Sequence, residues 1–517
     1  MAKLGEAYEV IVVGGGGAGL TAALTAARLG RSVLLIEKNT KPGGTTRLSV
    51  GSISVSCTPH QRRQGISDHP DLHFEDMGKF AGRNAPRDNL GLRQLYVRNA
   101  PEAFRFLTDL GVEFMGPVPE PPHRHPRLHN VVPHSGSLVR CLLRACRKEG
   151  VTIATRTELA HLRLQDGRVT GVVLKDGRQV RAERAVILAC GDFSGSAAMK
   201  QAHLSTKICN IPGINPASTG DGQRAGVEAG SELINGDLAW GPELRFVPPP
   251  RPSLIARIPP VRAFAKLTNW AILNLPQRLL RPVLMSFVTT FLAPSQGLFR
   301  EGALLINSEG RRFCDGTDGP EVAVSRQPGG EAWILLDGSM AEKFAAWPHF
   351  VSTAPGVAYA YLPDYRRNRR DICNVAETLR DVARKAGIPA QELVETVAAY
   401  NAASNRSGPR IDGKPFYLIG PLKSWICFTD GGVRVNEELA VETPRGEPIT
   451  GLYAAGSAGQ GGLLLEGHGH HLGWAITSGR LAGQSAAFAL PVRGCEKRGD
   501  QPAAYRREQI SELRKEG

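Results

Sequence analysis

Five of the six residues from Gly14 to Gly19 are glycine, and the elements on either side decide their chemistry. Tyr8-Glu9-Val10-Ile11-Val12-Val13 is a strand rich in β-branched residues that runs straight into this turn. An apolar helix follows from Leu20 to Leu29, stopped by Gly30, and a second strand, Ser32 to Ile36, ends in Glu37. The spacing is that of a βαβ unit that seats an adenine dinucleotide. Gly14 permits the tight turn, Gly16 lets the backbone approach a pyrophosphate, and Gly19 lets helix and strand pack closely. Gly17 and Ala18 lie in the same turn, where the helix N-terminus offers unpaired N–H groups. Glu37 stands where a carboxylate accepts hydrogen bonds from ribose hydroxyls and repels a 2′-phosphate, which argues against NADP.

A second group of reactive side chains lies near the other end. Glu466, His468, His470 and His471 fall within six residues. A neutral imidazole can donate to a carbonyl oxygen or take a proton from the carbon beside it. The alternative is a set of loop histidines that bond backbone or phosphate. Adjacent loop positions without supporting carboxylates do not suit a tetrahedral metal site, so no metal is expected. His123, His125, His129 and His134 lie in a proline-rich loop and read as scaffold or surface.

These residues need a large scaffold, and 517 residues with 42% hydrophobic and 22% charged content supply two sizeable cores. The net charge of +14 admits anionic ligands or an anionic membrane surface. No nucleic-acid motif accompanies it, and none is expected as a partner. Nine cysteines without a CxxC fit reduced thiols. The first strand begins by Tyr8, which leaves no room for a secretory signal, so a cytoplasmic location is expected.

Strand material at Val151–Ala154, Leu162–Leu164, Val169–Leu174 and Gln179–Arg181, with Asp166-Gly167 and Asp176-Gly177 turns, predicts an antiparallel meander. It feeds a buried strand ending at Gly191, and Gly451 to Gly456 is another. Gly432–Val435 reads as a further strand of the same domain. Thr219 or Asp221 is placed to cap a helix. The expected fold is α/β: a split Rossmann-type dinucleotide domain at 1–240 and 421–490, an inserted second domain of strands and helices at 241–420, and a polar tail at 491–517. Residues 267–299 are apolar but broken by Arg278, Arg281 and prolines, which rules out a spanning helix. They form either the core of the second domain or an exposed apolar ramp in peripheral contact with a membrane or a greasy substrate.

The chain resembles the flavoprotein family of fumarate reductase flavoprotein subunits and 3-ketosteroid Δ1-dehydrogenases over nearly its whole length. The resemblance is carried by the fingerprint and by Gly43-Gly44-Thr45-Thr46 with Ser49 and Gly51. It continues through Ala189 to Phe193, Ser218 to Gly222, Gly451 to Gly456 and Gly467 to Gly483. It implies that the inserted domain at 241–420 is an α+β capping domain and that the cofactor is FAD, held by these segments and by Lys38, Leu159, Cys190, Gly191, Asp221, Gly456, Leu472, Ala475 and Ile476. The helix opening near Gly473 would point its N-terminus at the flavin pyrimidine. The chemistry implied is hydride exchange between a substrate carbon and the flavin, with a proton moved at the neighbouring carbon.

The family's two branches match unevenly. The fumarate branch has a histidine where Phe428 stands and a carboxylate-binding arginine where His471 stands. Arg300 resembles the region of its proton-donor arginine, one residue out of register. The ketosteroid branch uses a backbone N–H at Gly469, which is present, and a tyrosine where Leu465 stands. Tyr417 is a candidate acid or base, as tyrosine is in that branch. The resulting expectation is an FAD enzyme acting on a C–C bond beside the carbonyl of a lipophilic molecule. Gly469 and His468, His470 or His471 would polarise the oxygen, and Tyr417 or a histidine would move the proton. No haem or iron–sulfur motif is present, so electrons would pass to or from an external partner. The rivals are reduction of a small unsaturated carboxylate and an electron-transfer subunit.

Overall fold

Val10–Val13 lies between two parallel neighbours, Val33–Ile36 on one side and Ala185–Leu188 on the other, in a computed structural model that describes residues 4–316, 319–406 and 408–491. The tail expected at 491–517 lies outside these residues from 492 onward. Thr152–Thr155 and Leu452–Ala454 extend the parallel sheet at its two ends. The central strands are continuous apolar runs because helices or other layers cover both faces. All four glycine or glutamate strand ends therefore open on one edge of one sheet, where such sheets bind ligands.

The fingerprint helix, Gly17–Arg28, packs against the last helix, His470–Phe488. Their closeness has a local cause: a Cβ on Gly479 would come within 2.4 Å of the Ala18 carbonyl oxygen, and one on Gly483 within 2.5 Å of that of Ala22. The first and last thirds of the chain are thereby joined into one core.

Three local expectations change. Thr152–Thr155 is not part of the meander but pairs in parallel with Leu34–Glu37; the meander is Leu159–Gln165, Arg168–Leu174 and Gln179–Leu188. Gly432–Val433 pairs with Leu233–Ile234 in a separate two-stranded ribbon. The helix Asp221–Glu228 starts from Gly220 without a side-chain cap, because Thr219 and Asp221 both turn to Lys38.

The inserted domain has its own buried core on a five-stranded antiparallel sheet. Its members are Glu243–Phe246, Leu304–Asn307, Glu331–Leu336, Cys373–Ala376 and Phe416–Trp425. The last strand runs past residue 420 and stays in the cap sheet to Trp425. The apolar stretch after 260 forms two helices, Arg262–Asn274 and Gln277–Val288, outside that sheet. Leu267, Trp270, Leu273 and Leu279 are exposed, so this segment is a ramp and not simply core. Among the described residues no helix is long and apolar enough to cross a membrane, and no disulfide joins the described cysteines.

Candidate functional site

A cavity of about 1150 Å³ runs from the strand ends of the sheet to the cap. Its floor is the fingerprint turn, with Gly14, Gly16, Gly17 and Ala18 on the wall. The helix that begins at Gly17 has no side-chain cap, and a Cβ at Gly16 would meet nothing within 4 Å. The Gly17 N–H is taken by Thr46 Oγ1 at 3.0 Å. A pyrophosphate fits the rest of this cradle, which offers open space at Gly16 and the positive end of a helix dipole. Gly19 is not on the wall; a Cβ there would lie 1.8 Å from the Gly14 carbonyl oxygen, so its role is packing.

Glu37 lines the cavity but is already engaged. One oxygen accepts from the Gly15 N–H at 2.9 Å, and the other from the Asn39 backbone N–H at 2.8 Å and its side-chain amide at 2.9 Å. The carboxylate thus shapes the glycine turn from its place on the cavity wall. Lys38 reaches Asp221 at 2.8 Å, tying two wall segments together. Gly44, Thr45, Thr46, Ser49, Gly51, Leu159, Cys190, Gly191, Gly456, Leu472 and Ala475 also line the cavity. Besides Gly19, two residues do not. Gly43 lies behind the wall, its N–H bonded to the Gly15 carbonyl, and Ile476 is buried in the core.

The far end holds the reactive groups. Gly469 caps the last helix in the left-handed region at φ +86°, and a Cβ there would lie 2.5 Å from Ser54 N. Only glycine fits, and the uncapped helix start faces the cavity beside Leu472. His468 precedes it and is locked from three sides. Its backbone N–H donates to Glu120 Oε1 at 2.8 Å, its Nδ1 lies 2.6 Å from the same oxygen, and its carbonyl accepts from Ser54 Oγ at 3.0 Å. Glu120 is buried, while the His468 ring is 40% exposed on the cavity wall.

The three histidines separate. His471 lines the cavity against Phe428, with Nε2 3.8 Å from Asp430 Oδ1. Burial holds its imidazole down at about 3, so it is neutral. Burial, with Glu466 and Asp192 nearby, pushes Asp430 up to about 7. His470 is corrected out of the site: it is fully buried, its Nδ1 donates to the Glu466 carbonyl at 2.6 Å, and Nε2 lies 3.3 Å from His73 Nε2. Burial lowers it to about 4. His73, His123 and His470 bring their ring nitrogens within 4.8 Å of one another. Arg127 donates to His123 Nδ1 at 2.9 Å, which puts the His123 proton on Nε2 and leaves that ring no lone pair for a metal.

Tyr417 is also corrected. It lies in the cap sheet opposite Leu336 and Val375, 5% exposed in the cap core and off the cavity wall. Arg300 does reach the cavity, from the exposed end of the helix Gln296–Arg300. Of the proline-rich loop histidines, His129 is scaffold, held by the Arg127 carbonyl at 2.7 Å and Thr58 Oγ1 at 2.9 Å.

Sequence reasoning missed Glu120, which is 348 residues from His468 and set among prolines with no motif around it. It also missed the group Glu243, Arg245 and Cys427 on the cavity wall. Arg245 pairs with Glu243 at 2.6 Å, and burial pushes the Cys427 thiol up, so it is no thiolate. The cavity's cap side is greasy: Ile272, Leu284, Phe287, Val288 and Phe291 line it.

Dinucleotide cradle, uncapped second helix and capping domain together define a flavoprotein. The chain belongs to the family described as FAD binding domain, which matches residues 9–255 and 261–464. It is an FAD-dependent oxidoreductase of the fumarate reductase and ketosteroid dehydrogenase type, a group that acts on CH–CH bonds. It is 25% identical to NADH:fumarate oxidoreductase of Klebsiella pneumoniae over 93% of this chain, and spans 48% of that protein's length. It is 24% identical to 3-oxosteroid 1-dehydrogenase of Mycolicibacterium smegmatis, covering 92% of this chain and 97% of that one. The open conformation of a flavocytochrome c3 fumarate reductase shares the fold, with a TM-score of 0.68 at 22% identity over 94% of this chain and 79% of that one.

Proposed function

We propose that the protein exchanges hydrogen across a C–C bond α,β to the carbonyl of a lipophilic, cyclic ketone. The single observation behind this reading is the His468–Glu120 pair on a cavity wall that faces an apolar cap. Bound FAD supplies the hydride acceptor or donor. Gly14, Gly16, Gly17 and Ala18 would hold its pyrophosphate, and the start of the last helix would favour negative charge on its pyrimidine.

The chain's own part is to orient the ketone and move one proton. The Gly469 turn offers backbone N–H groups to the carbonyl oxygen, whose growing negative charge makes the α-hydrogen acidic. His468 takes that proton on desaturation and returns one on reduction. Glu120 fixes the ring through Nδ1, and among the described residues Nε2 has no protein hydrogen bond. The apolar cap residues exclude water and fit a ring system better than a dicarboxylate. The partner that takes or gives the electrons is external to the chain.

One observation favours reduction of a small unsaturated carboxylate instead: Arg245 and Arg300 both line the cavity. The Arg245 charge is taken up by Glu243, which weighs against it. Dye-coupled turnover of the FAD-loaded protein separates the two. Reduction of the dye with a fused-ring 3-ketone supports the proposed reading; fumarate-dependent oxidation of reduced dye, with no response to ketones, overturns it.

A further inference from the structure

The helices Arg262–Asn274 and Gln277–Val288 have two working faces. Thr268 and Ile272 of the first, and Leu284, Phe287 and Val288 of the second, line the cavity. The opposite side shows Leu267 at 58%, Trp270 at 56%, Leu273 at 74% and Leu279 at 61% exposure. So large an apolar face on a folded chain marks a surface that meets something apolar.

Charge identifies what it meets. Between Glu243 and Glu301 there are eight arginines and lysines and no acidic residue. Arg251, Arg257, Lys266 and Arg278 are exposed in this stretch, Lys266 and Arg278 on the two helices themselves. Leucine and tryptophan rimmed by basic side chains is the pattern of helices that lie in the interface of an anionic bilayer. At 13 and 12 residues, joined at Pro276, neither helix can span one. A second copy of this chain fits worse, because a two-fold interface would set this cationic rim against itself.

We propose that this helical pair docks the protein on an anionic lipid surface and that the cavity takes its substrate from the bilayer through the same two helices. The second half rests on the reading of a lipophilic substrate; the docking does not. In the apposed state Trp270, Leu273 and Leu279 lie among the acyl chains near the headgroups, with Lys266 and Arg278 at phosphate level. A molecule leaving the bilayer then meets Ile272, Leu284 and Phe287 without crossing water.

The test uses the full FAD-loaded chain, vesicles of phosphatidylcholine with or without phosphatidylglycerol, and two double variants. The wild type is expected to sediment with the anionic vesicles and to leave them as salt rises. Leu273→Glu with Leu279→Glu should weaken sedimentation at least about tenfold, and Lys266→Glu with Arg278→Glu should remove the preference for phosphatidylglycerol. Neither pair touches the cavity wall, so the flavin spectrum should be unchanged. For the portal, turnover of a vesicle-dissolved ketone should fall with the leucine pair while turnover of the same ketone delivered by cyclodextrin stays the same. Docking is overturned if the wild type stays in the supernatant with anionic vesicles or if the leucine pair sediments equally well. It is also overturned if sedimentation velocity shows a dimer lost in that pair without vesicle binding. Equal loss of both turnovers overturns the portal. If no ketone turns over at all, the substrate reading fails while vesicle sedimentation still decides docking.

Discussion

His468 Nδ1 lies 2.6 Å from Glu120 Oε1, and the same oxygen accepts the His468 backbone N–H at 2.8 Å. One buried carboxylate therefore fixes both the ring and the chain of the one exposed histidine in the turn. In the proposed reaction the pair acts as a base and its positioning group. His468→Asn is expected to lower kcat by about 10²- to 10⁴-fold, the range for losing a general acid–base. Glu120→Gln should lower it at least about tenfold, since the neutral amide no longer stabilises a charged ring. FAD content, read from visible absorbance, should be normal in both. Full activity in Glu120→Gln would remove the pair from the mechanism.

Two glycines of one turn should fail in different ways. A side chain at Gly16 enters open space where a pyrophosphate would sit, whereas one at Gly19 strikes the Gly14 carbonyl. Gly16→Val is expected to fold with wild-type stability but purify without flavin. Gly19→Val should misfold or lose several kcal/mol, as overpacking against backbone does. Thermal melts of the two apoproteins, with flavin content, check this.

Arg127 is fully buried and bridges Asp68 at 2.7 Å, Asp76 at 2.6 Å and His123 at 2.9 Å. Removing it takes away the cation paired with the buried Asp68 carboxylate and one of the three cations around Asp76. Arg127→Met should cost about 3–5 kcal/mol in urea unfolding. The Asp76 carboxyl, held well below the usual range by hydrogen bonds from Lys79, Arg124 and Arg127 against the opposing effect of burial, would lose part of that support.

Asp430 gives a pH dependence of opposite sign. Its folded value of about 7 stands above the ordinary value of about 3.9. Below pH ~4 both states are protonated and no cost arises. As pH rises towards 7 the folded state keeps a proton that the unfolded chain has lost, so stability falls, by up to about 4 kcal/mol above pH 7. Asp430→Asn keeps an acceptor for Gln460, which donates at 2.9 Å. The variant should gain stability over the wild type as pH rises from 5 to 8. A pH-independent difference would show that Asp430 is not held neutral.

The dinucleotide half of the fold was legible because its signals are local. A β-branched strand, a glycine turn and an apolar helix each occupy consecutive residues, and the turn itself lines the site. Glu120 was not legible, since nothing within its own segment points to a partner 348 residues away. Tyr417 was misplaced for a readable reason: Phe416-Tyr417-Leu418-Ile419 is a continuous apolar run, the mark of a strand buried on both faces. His470 and His468 are two residues apart, yet the turn at Gly469 sends them to opposite sides, one to the core and one to the cavity. Composition alone left residues 267–299 open between core and surface, because an apolar helix face looks the same whether protein or lipid covers it. Tyr417→Phe should accordingly leave kcat within about twofold of wild type, as a phenol that touches no reacting atom contributes nothing to proton transfer.

The central claim is hydrogen exchange with a lipophilic ketone at a flavin seated in this cavity. Anaerobic mixing of the FAD-loaded protein with saturated and unsaturated fused-ring ketones, watched in the visible flavin band, tests it most directly. The saturated ketone should bleach oxidised flavin or the enone should recolour reduced flavin, and neither should occur in His468→Asn on the same timescale. A protein that cannot be loaded with flavin, or a flavin that responds to fumarate alone or to no substrate, would contradict it.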